Sequence, residues 1–158
     1  MAAVHNNLYP RANFAPKRTI KYGGKPESTE TETITWQFHR LDMEHKLWGW
    51  NKLNADDLNE ILSALKSFEG LTWAKLKEQA GGKKNGTNHH SIYMDDFSKE
   101  AKTRISDLHL EEYDELFSLR IKNTTRLYGI RDGRALKLVW HDPHHFQGSP
   151  KAAYLIPK

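Results

Sequence analysis

The pair Asp132-Gly133 constrains this chain most, because it stands between two short runs of alternating character, Thr125-Arg-Leu-Tyr-Gly-Ile-Arg131 and Arg134-Ala-Leu-Lys-Leu-Val-Trp-His141. Asp-Gly is favoured in the two-residue type I′ turn, whose central residues both take positive φ, so a β-hairpin is expected here. Counting outward pairs Arg131 with Arg134, Gly129 with Leu136 and Leu127 with Leu138. Side chains alternate faces along a strand. One face then holds Leu127, Gly129, Leu136, Leu138 and Trp140; the other holds Arg126, Tyr128, Ile130, Ala135, Lys137, Val139 and His141. Leu116 to Lys122 alternates as well and joins through Asn123-Thr124-Thr125, which makes a three-stranded antiparallel meander. On its second face Arg120, Lys122, Arg126, Tyr128, Lys137 and His141 come together, a set suited to gripping a phosphate chain. The same set also suits an ordinary wet face, since antiparallel sheets commonly expose one side to water.

The region before the meander carries helical signals. Ile34, Trp36, Phe38 and Arg40 alternate with Thr35, Gln37, His39 and Leu41 as a first strand. Asn54 caps a helix whose apolar face is Leu58, Ile61, Leu62, Leu65 and Phe68, ended by Gly70. A second short helix runs from Thr72 to Gly81-Gly82, and the two pack as a hairpin. Phe97, Ala101, Ile105 and Leu108 mark a third helix. Trp48 and Trp50 flank Gly49 in a loop, either as core plugs or as exposed rings that stack bases. The expected class is α+β: a strand, a helical hairpin, a third helix, then the meander.

Length and composition fit one domain. The chain has 158 residues, 37% of them hydrophobic, enough for a single core at 29–158 with an extended C-terminal tail. Residues 1–28 carry five Lys and Arg and no acid before Glu27, the composition of a basic flexible arm. The formal charge of +4 and a pI near 9.2 favour a polyanionic partner. Absence of cysteine excludes disulfides, thiol catalysis and cysteine-bound zinc, and suits a reducing cytoplasm. No apolar run resembles a signal peptide or reaches the roughly 18 residues of a membrane span, so a cytoplasmic protein without membrane contact is expected. His141, His144 and His145 lack a second ligand cluster at metal-binding spacing, so neither a metal nor another cofactor is expected. The acidic run Glu111, Glu112, Asp114, Glu115 offers a general base if the fold brings it beside the arginines.

Leu119-Arg-Ile, Thr125-Arg-Leu-Tyr-Gly-Ile-Arg131, Asp132-Gly133 and Ala135-Leu-Lys-Leu-Val-Trp-His-Asp-Pro-His-His145 resemble the RelE/ParE superfamily of bacterial toxins, in particular its HigB-like branch. The resemblance lies mainly in 116–145. It implies a RelE-like fold, a strand and helical hairpin before a curved antiparallel sheet, and a small endoribonuclease that cuts mRNA, usually on the ribosome, under restraint by an antitoxin. Arg126 takes the place of the family's sheet arginine, His141 with His144 and His145 falls near its post-sheet position, and Tyr154 corresponds loosely to its C-terminal tyrosine.

Such chemistry can proceed without a metal. The RNA 2′-hydroxyl attacks the adjacent phosphate while a base takes its proton, cations stabilise the charge and an acid serves the leaving oxygen. His141 would be acid or base, Arg126 and Arg120 the clamp, and Lys137 or Tyr128 the second proton carrier. Lys122, Arg131, Arg134, Lys83, Lys84, His144 and His145 would hold the strand. The rival is a non-catalytic protein, either a nucleic-acid binder or an inhibitor of a host protein such as gyrase. A third reading is a phage or mobile-element protein that binds another protein through its aromatic loop.

Overall fold

The computed structural model of the chain describes residues 29–79 and 88–156; the arm at 1–28 and the loop lysines Lys83 and Lys84 lie outside the described residues. The elements run strand β1 (Thr35–Gln37), helix α1 (Ala55–Phe68), helix α2 (Trp73–Glu78), strand β2 (His90–Tyr93), helix α3 (Lys99–Asp107), and strands β3 (Glu115–Arg120), β4 (Arg126–Asp132) and β5 (Ala135–Asp142). The class is α+β, but the sheet has five strands, in the order β1-β5-β4-β3-β2, where three were expected. β1 lies parallel to β5 and every other neighbour is antiparallel. The first strand stops at Gln37 rather than reaching Leu41, because the chain turns there and Leu41 N donates to Phe38 O at 3.2 Å. β2 went unread in the sequence because four residues beside a glycine-rich stretch carry too little periodicity.

Asn54 accepts from Asp57 N while the Asp57 carboxylate accepts from Asn54 N, a capping box that sets where α1 starts and contributes about 1 kcal/mol. The helix buries Ile61, Leu65 and Phe68, a narrower stripe than expected, since Leu58 and Leu62 stay exposed. With Trp73 and Leu76 of α2 they cover Phe117, Leu119, Leu127, Leu136 and Leu138. On the opposite face Ala101 and Ile105 of α3, with Trp48 and Phe97, cover Ile92, Leu116, Tyr128, Ile130, Val139 and Trp140. The second face of the meander is therefore not an open basic surface. β3, β4 and β5 read as nearly unbroken apolar runs, the pattern of a sheet covered on both sides. Trp48 and Trp50 are core residues, their indole N–H groups donating to Lys151 O and Val139 O.

The hairpin turn sits one residue later than expected. Asp132 pairs with Ala135, so the loop is Gly133-Arg134, with positive φ at Gly133 (63°) and not at Arg134, as in a type II′ turn. This moves each partner by two positions and leaves the faces unchanged: Gly129 meets Leu138. The next pair, however, is Tyr128 with Trp140, leaving Val139 as the extra residue of a β-bulge. Beyond it the alternation is inverted. Trp140 joins the face of Tyr128, Asp142 pairs with Arg126, and His141 pairs with Leu127, so the expectation that His141 shares the face of Arg126 is corrected. Gly129 permits the close approach at this point, since a Cβ there would stand 2.7 Å from Lys137 O. The bulged Val139 turns its carbonyl to Asp42 N and Trp50 Nε1, both at 3.0 Å, which docks the loop after β1 against the sheet.

Candidate functional site

One end of the sheet gathers the polar ends of four strands. His90 opens β2 opposite Ser118, Arg120 closes β3 opposite Arg126 of β4, and Arg126 in turn faces Asp142 at the end of β5. The chain after β5 folds back over this end. Asp142 fastens it, accepting from His144 N at 2.7 Å and Ala153 N at 2.8 Å. His145 N donates to Thr124 O at 3.0 Å. Burial raises the Asp142 carboxyl, with those two N–H groups and the nearby cations opposing.

Arg126 is only 6% exposed. Its Nη1 donates to Lys122 O, Asn123 O and Thr125 O at 2.9, 3.1 and 3.1 Å, and its guanidinium lies 5.8 Å from the Phe146 ring. Among the described residues no carboxylate forms an ion pair with it, and Nε and Nη2 donate to no acceptor. Burial and the charge of Arg120 bring its pKa down to about 10, with Tyr128 and Asp142 opposing, so it remains a cation at neutral pH.

His145 is 7% exposed, its ring 4.3 Å from Phe146 and 6.2 Å from Tyr154. Its Nδ1 has no hydrogen-bond partner. Burial, then Arg126, His90 and Arg120, lowers its pKa to about 4, which leaves the imidazole neutral at pH 7. The Tyr128 hydroxyl, beside Ser118, and Thr125 Oγ1 are also buried without a hydrogen bond of ordinary length. Burial and the Asp142 carboxylate keep the Tyr128 phenol protonated, and burial raises Tyr154 too. Unused guanidinium donors beside a neutral imidazole and two hydroxyls form a setting for an anion with several acceptor oxygens.

Of the five residues expected to act in catalysis, the fold brings Arg126, Arg120 and Tyr128 together. His141 lies across the sheet, where burial lowers its pKa and its ionisable neighbours are Asp57, Lys122, His144 and Glu60. Lys137 is held by Asp132 toward the hairpin end of β5. Arg131 is also at that end, paired with Glu30 at 2.7 Å and stacked 4.0 Å over Trp73, and Arg134 is exposed in the turn. Lys122 pairs with Glu60, His144 is half-buried, and His145 joins Arg126 at this end of the sheet. Glu115 accepts from Ser91 Oγ at the far end of β3 from Arg120, so this carboxylate of the acidic run does not stand beside Arg120.

The sequence reading missed Asp142 and Phe146. Asp142-Pro143-His144 did carry a signal: an aspartate two residues before a free N–H commonly closes a turn on itself. Among the described residues no three histidine or carboxylate side chains converge as metal ligands, and no helix is long and apolar enough to cross a membrane. No family model, curated protein or solved structure matches this chain.

Proposed function

We propose that the protein is a metal-independent endoribonuclease of the toxin type, acting on mRNA under restraint by an antitoxin protein, with its centre at Arg126 and His145 rather than at His141 and Lys137. The observation that carries this reading is a nine-tenths-buried arginine with no carboxylate ion pair among the described residues, set beside a second arginine and a neutral histidine whose Nδ1 is unpartnered. Arg126 and Arg120 hold the phosphate and the charge it gathers. His145 Nδ1 takes the proton of the ribose 2′-hydroxyl as that oxygen bonds to phosphorus. The bond from phosphorus to the 5′-oxygen breaks, and the Tyr154 phenol protonates the leaving oxygen. The products are a 2′,3′-cyclic phosphate and a 5′-hydroxyl, and solvent returns the proton from His145 to Tyr154.

The test is cleavage of a single-stranded RNA by the full-length protein in chelator, with end-group analysis. Arg126→Ala is expected to slow cleavage by about 10²–10³-fold, His145→Ala by about 10²-fold, and His141→Ala hardly at all. RNA that is bound and never cut would replace this reading with the binding protein.

A further inference from the structure

A groove of about 690 Å³ runs between α1 and the end of β3, and Arg120 lines it. It begins where the phosphate-directed cluster ends, since Arg120 stands opposite Arg126 in the pairing of β3 with β4. Two amide side chains on its wall have fixed orientations. Arg120 Nη1 donates to Asn88 at 2.9 Å; an arginine can only donate, so the accepting atom is Oδ1 and the Asn88 amino group has no partner among the described residues. His89 Nδ1 accepts from Arg120 N at 3.1 Å, so the neutral ring carries its proton on Nε2 and donates to Gln79 Oε1 at 3.0 Å. The Gln79 amino group is thereby also turned out as a donor. Phe68, edge-on to His89 at 5.0 Å, backs this chain of contacts.

We infer that this groove is a nucleobase subsite next to the phosphate site, and that it selects a base presenting carbonyl acceptors, uracil or guanine, over adenine. The inference rests on the ribonuclease reading for the identity of the neighbouring phosphate. Two oriented amino donors match carbonyl oxygens, whereas adenine turns its own amino group toward them and leaves a donor facing a donor.

Isosteric variants test it. Asn88→Asp and Gln79→Glu keep the oxygens that accept from Arg120 and His89 and replace each amino donor with an acceptor. The measurement is equilibrium binding of uncleavable 2′-O-methyl U6 and A6 oligonucleotides to the full-length protein, at fixed low salt. Wild type is expected to prefer U6 by about tenfold, and each variant to lose most of that ratio while its affinity for inorganic phosphate changes far less. Equal binding of U6 and A6 by wild type overturns the base subsite and leaves the phosphate site standing. A preference that survives both variants overturns it as well, and failure to bind either oligonucleotide overturns the subsite together with the ribonuclease.

Discussion

Two polar clusters flank the sheet on the side of α3, one around Asp42 and one around Arg126, and the fold treats their charges in opposite ways. Asp42 accepts from Arg104 Nε and Nη2 at 2.8 and 2.7 Å, from Trp140 Nε1 at 2.9 Å and from the N–H groups of Glu44 and His45 at 3.1 and 3.3 Å. Burial alone would raise this carboxyl, yet those donors bring it to about 2. The contrast extends to two histidines that are each 7% exposed. His45 accepts from Leu47 N and Trp48 N at 3.2 Å on Nδ1 and sets Nε2 3.4 Å from Glu100, whereas His145 leaves Nδ1 unpartnered. A cluster that only holds a fold together satisfies its buried polar atoms, because each one left unmade costs about 1–3 kcal/mol. The first cluster has that character, whereas the second leaves His145 Nδ1, the Tyr128 hydroxyl and Thr125 Oγ1 without a hydrogen bond of ordinary length.

Breaking the first cluster should have the largest effect. Asp42→Ala strands the Arg104 guanidinium and the Trp140 indole, and urea denaturation is expected to show a loss of about 3–5 kcal/mol. A loss under about 1 kcal/mol would mean that this network is not what fixes the loop after β1 to the sheet.

The clusters also separate on a pH axis. The folded pKa of His145 is about 4, below its ordinary 6.5, so its contribution is complete above pH 6.5 and is lost as pH falls from there toward 4. Asp42, lowered from 3.8 to about 2, loses its contribution only between those two values. His145→Gln should therefore shrink the fall in stability from neutral to mildly acidic pH by roughly 2 kcal/mol. Denaturation at a series of pH values, with wild type beside the variant, would detect this; parallel curves would show that His145 does not titrate abnormally.

Removing the charge at Arg126 sharpens the comparison from the other side. Arg126→Met deletes a cation that burial penalises and that forms no ion pair among the described residues, at the loss of hydrogen bonds to three loop carbonyls, so stability should stay within about 1 kcal/mol of wild type. Phosphate binding, followed by calorimetry, should disappear. Destabilisation as large as that of Asp42→Ala would instead make Arg126 a structural clamp for the Lys122–Thr125 turn.

What the sequence disclosed about these clusters followed from local chemistry. The hairpin was legible in Asp132-Gly133, and the start of α1 in Asn54 and Asp57, because turns and caps are written in adjacent residues. Arg126, Arg120 and Tyr128 could be grouped because strand alternation is local too. His141 and Trp140 were assigned to the wrong faces because one extra residue at Val139, admitted by Gly129 against Lys137 O, inverts the pattern without any mark in the alternation itself. Nor could Asp42, nearly a hundred positions from Trp140, be recognised as a buried anion: its partners come from α3 and β5 and meet only once both faces of the sheet are covered.

The smallest effect belongs to the Lys122–Glu60 pair at the groove wall. Both side chains are about half exposed, at 50% and 49%, so water screens their attraction and the pair should contribute no more than about 0.5 kcal/mol to stability. Its consequence for binding is larger in proportion, because Glu60 is an acid beside a groove read as accepting a polyanion. Glu60→Gln leaves the helix intact and frees Lys122 to meet a phosphate. Urea denaturation should barely register the change, while affinity for single-stranded RNA rises by about threefold at low salt and returns toward wild type as salt is added, as expected when one more phosphate contact is screened. Unchanged affinity at low salt would place the path of the strand elsewhere and confine the polyanion contact to the residues around Arg126.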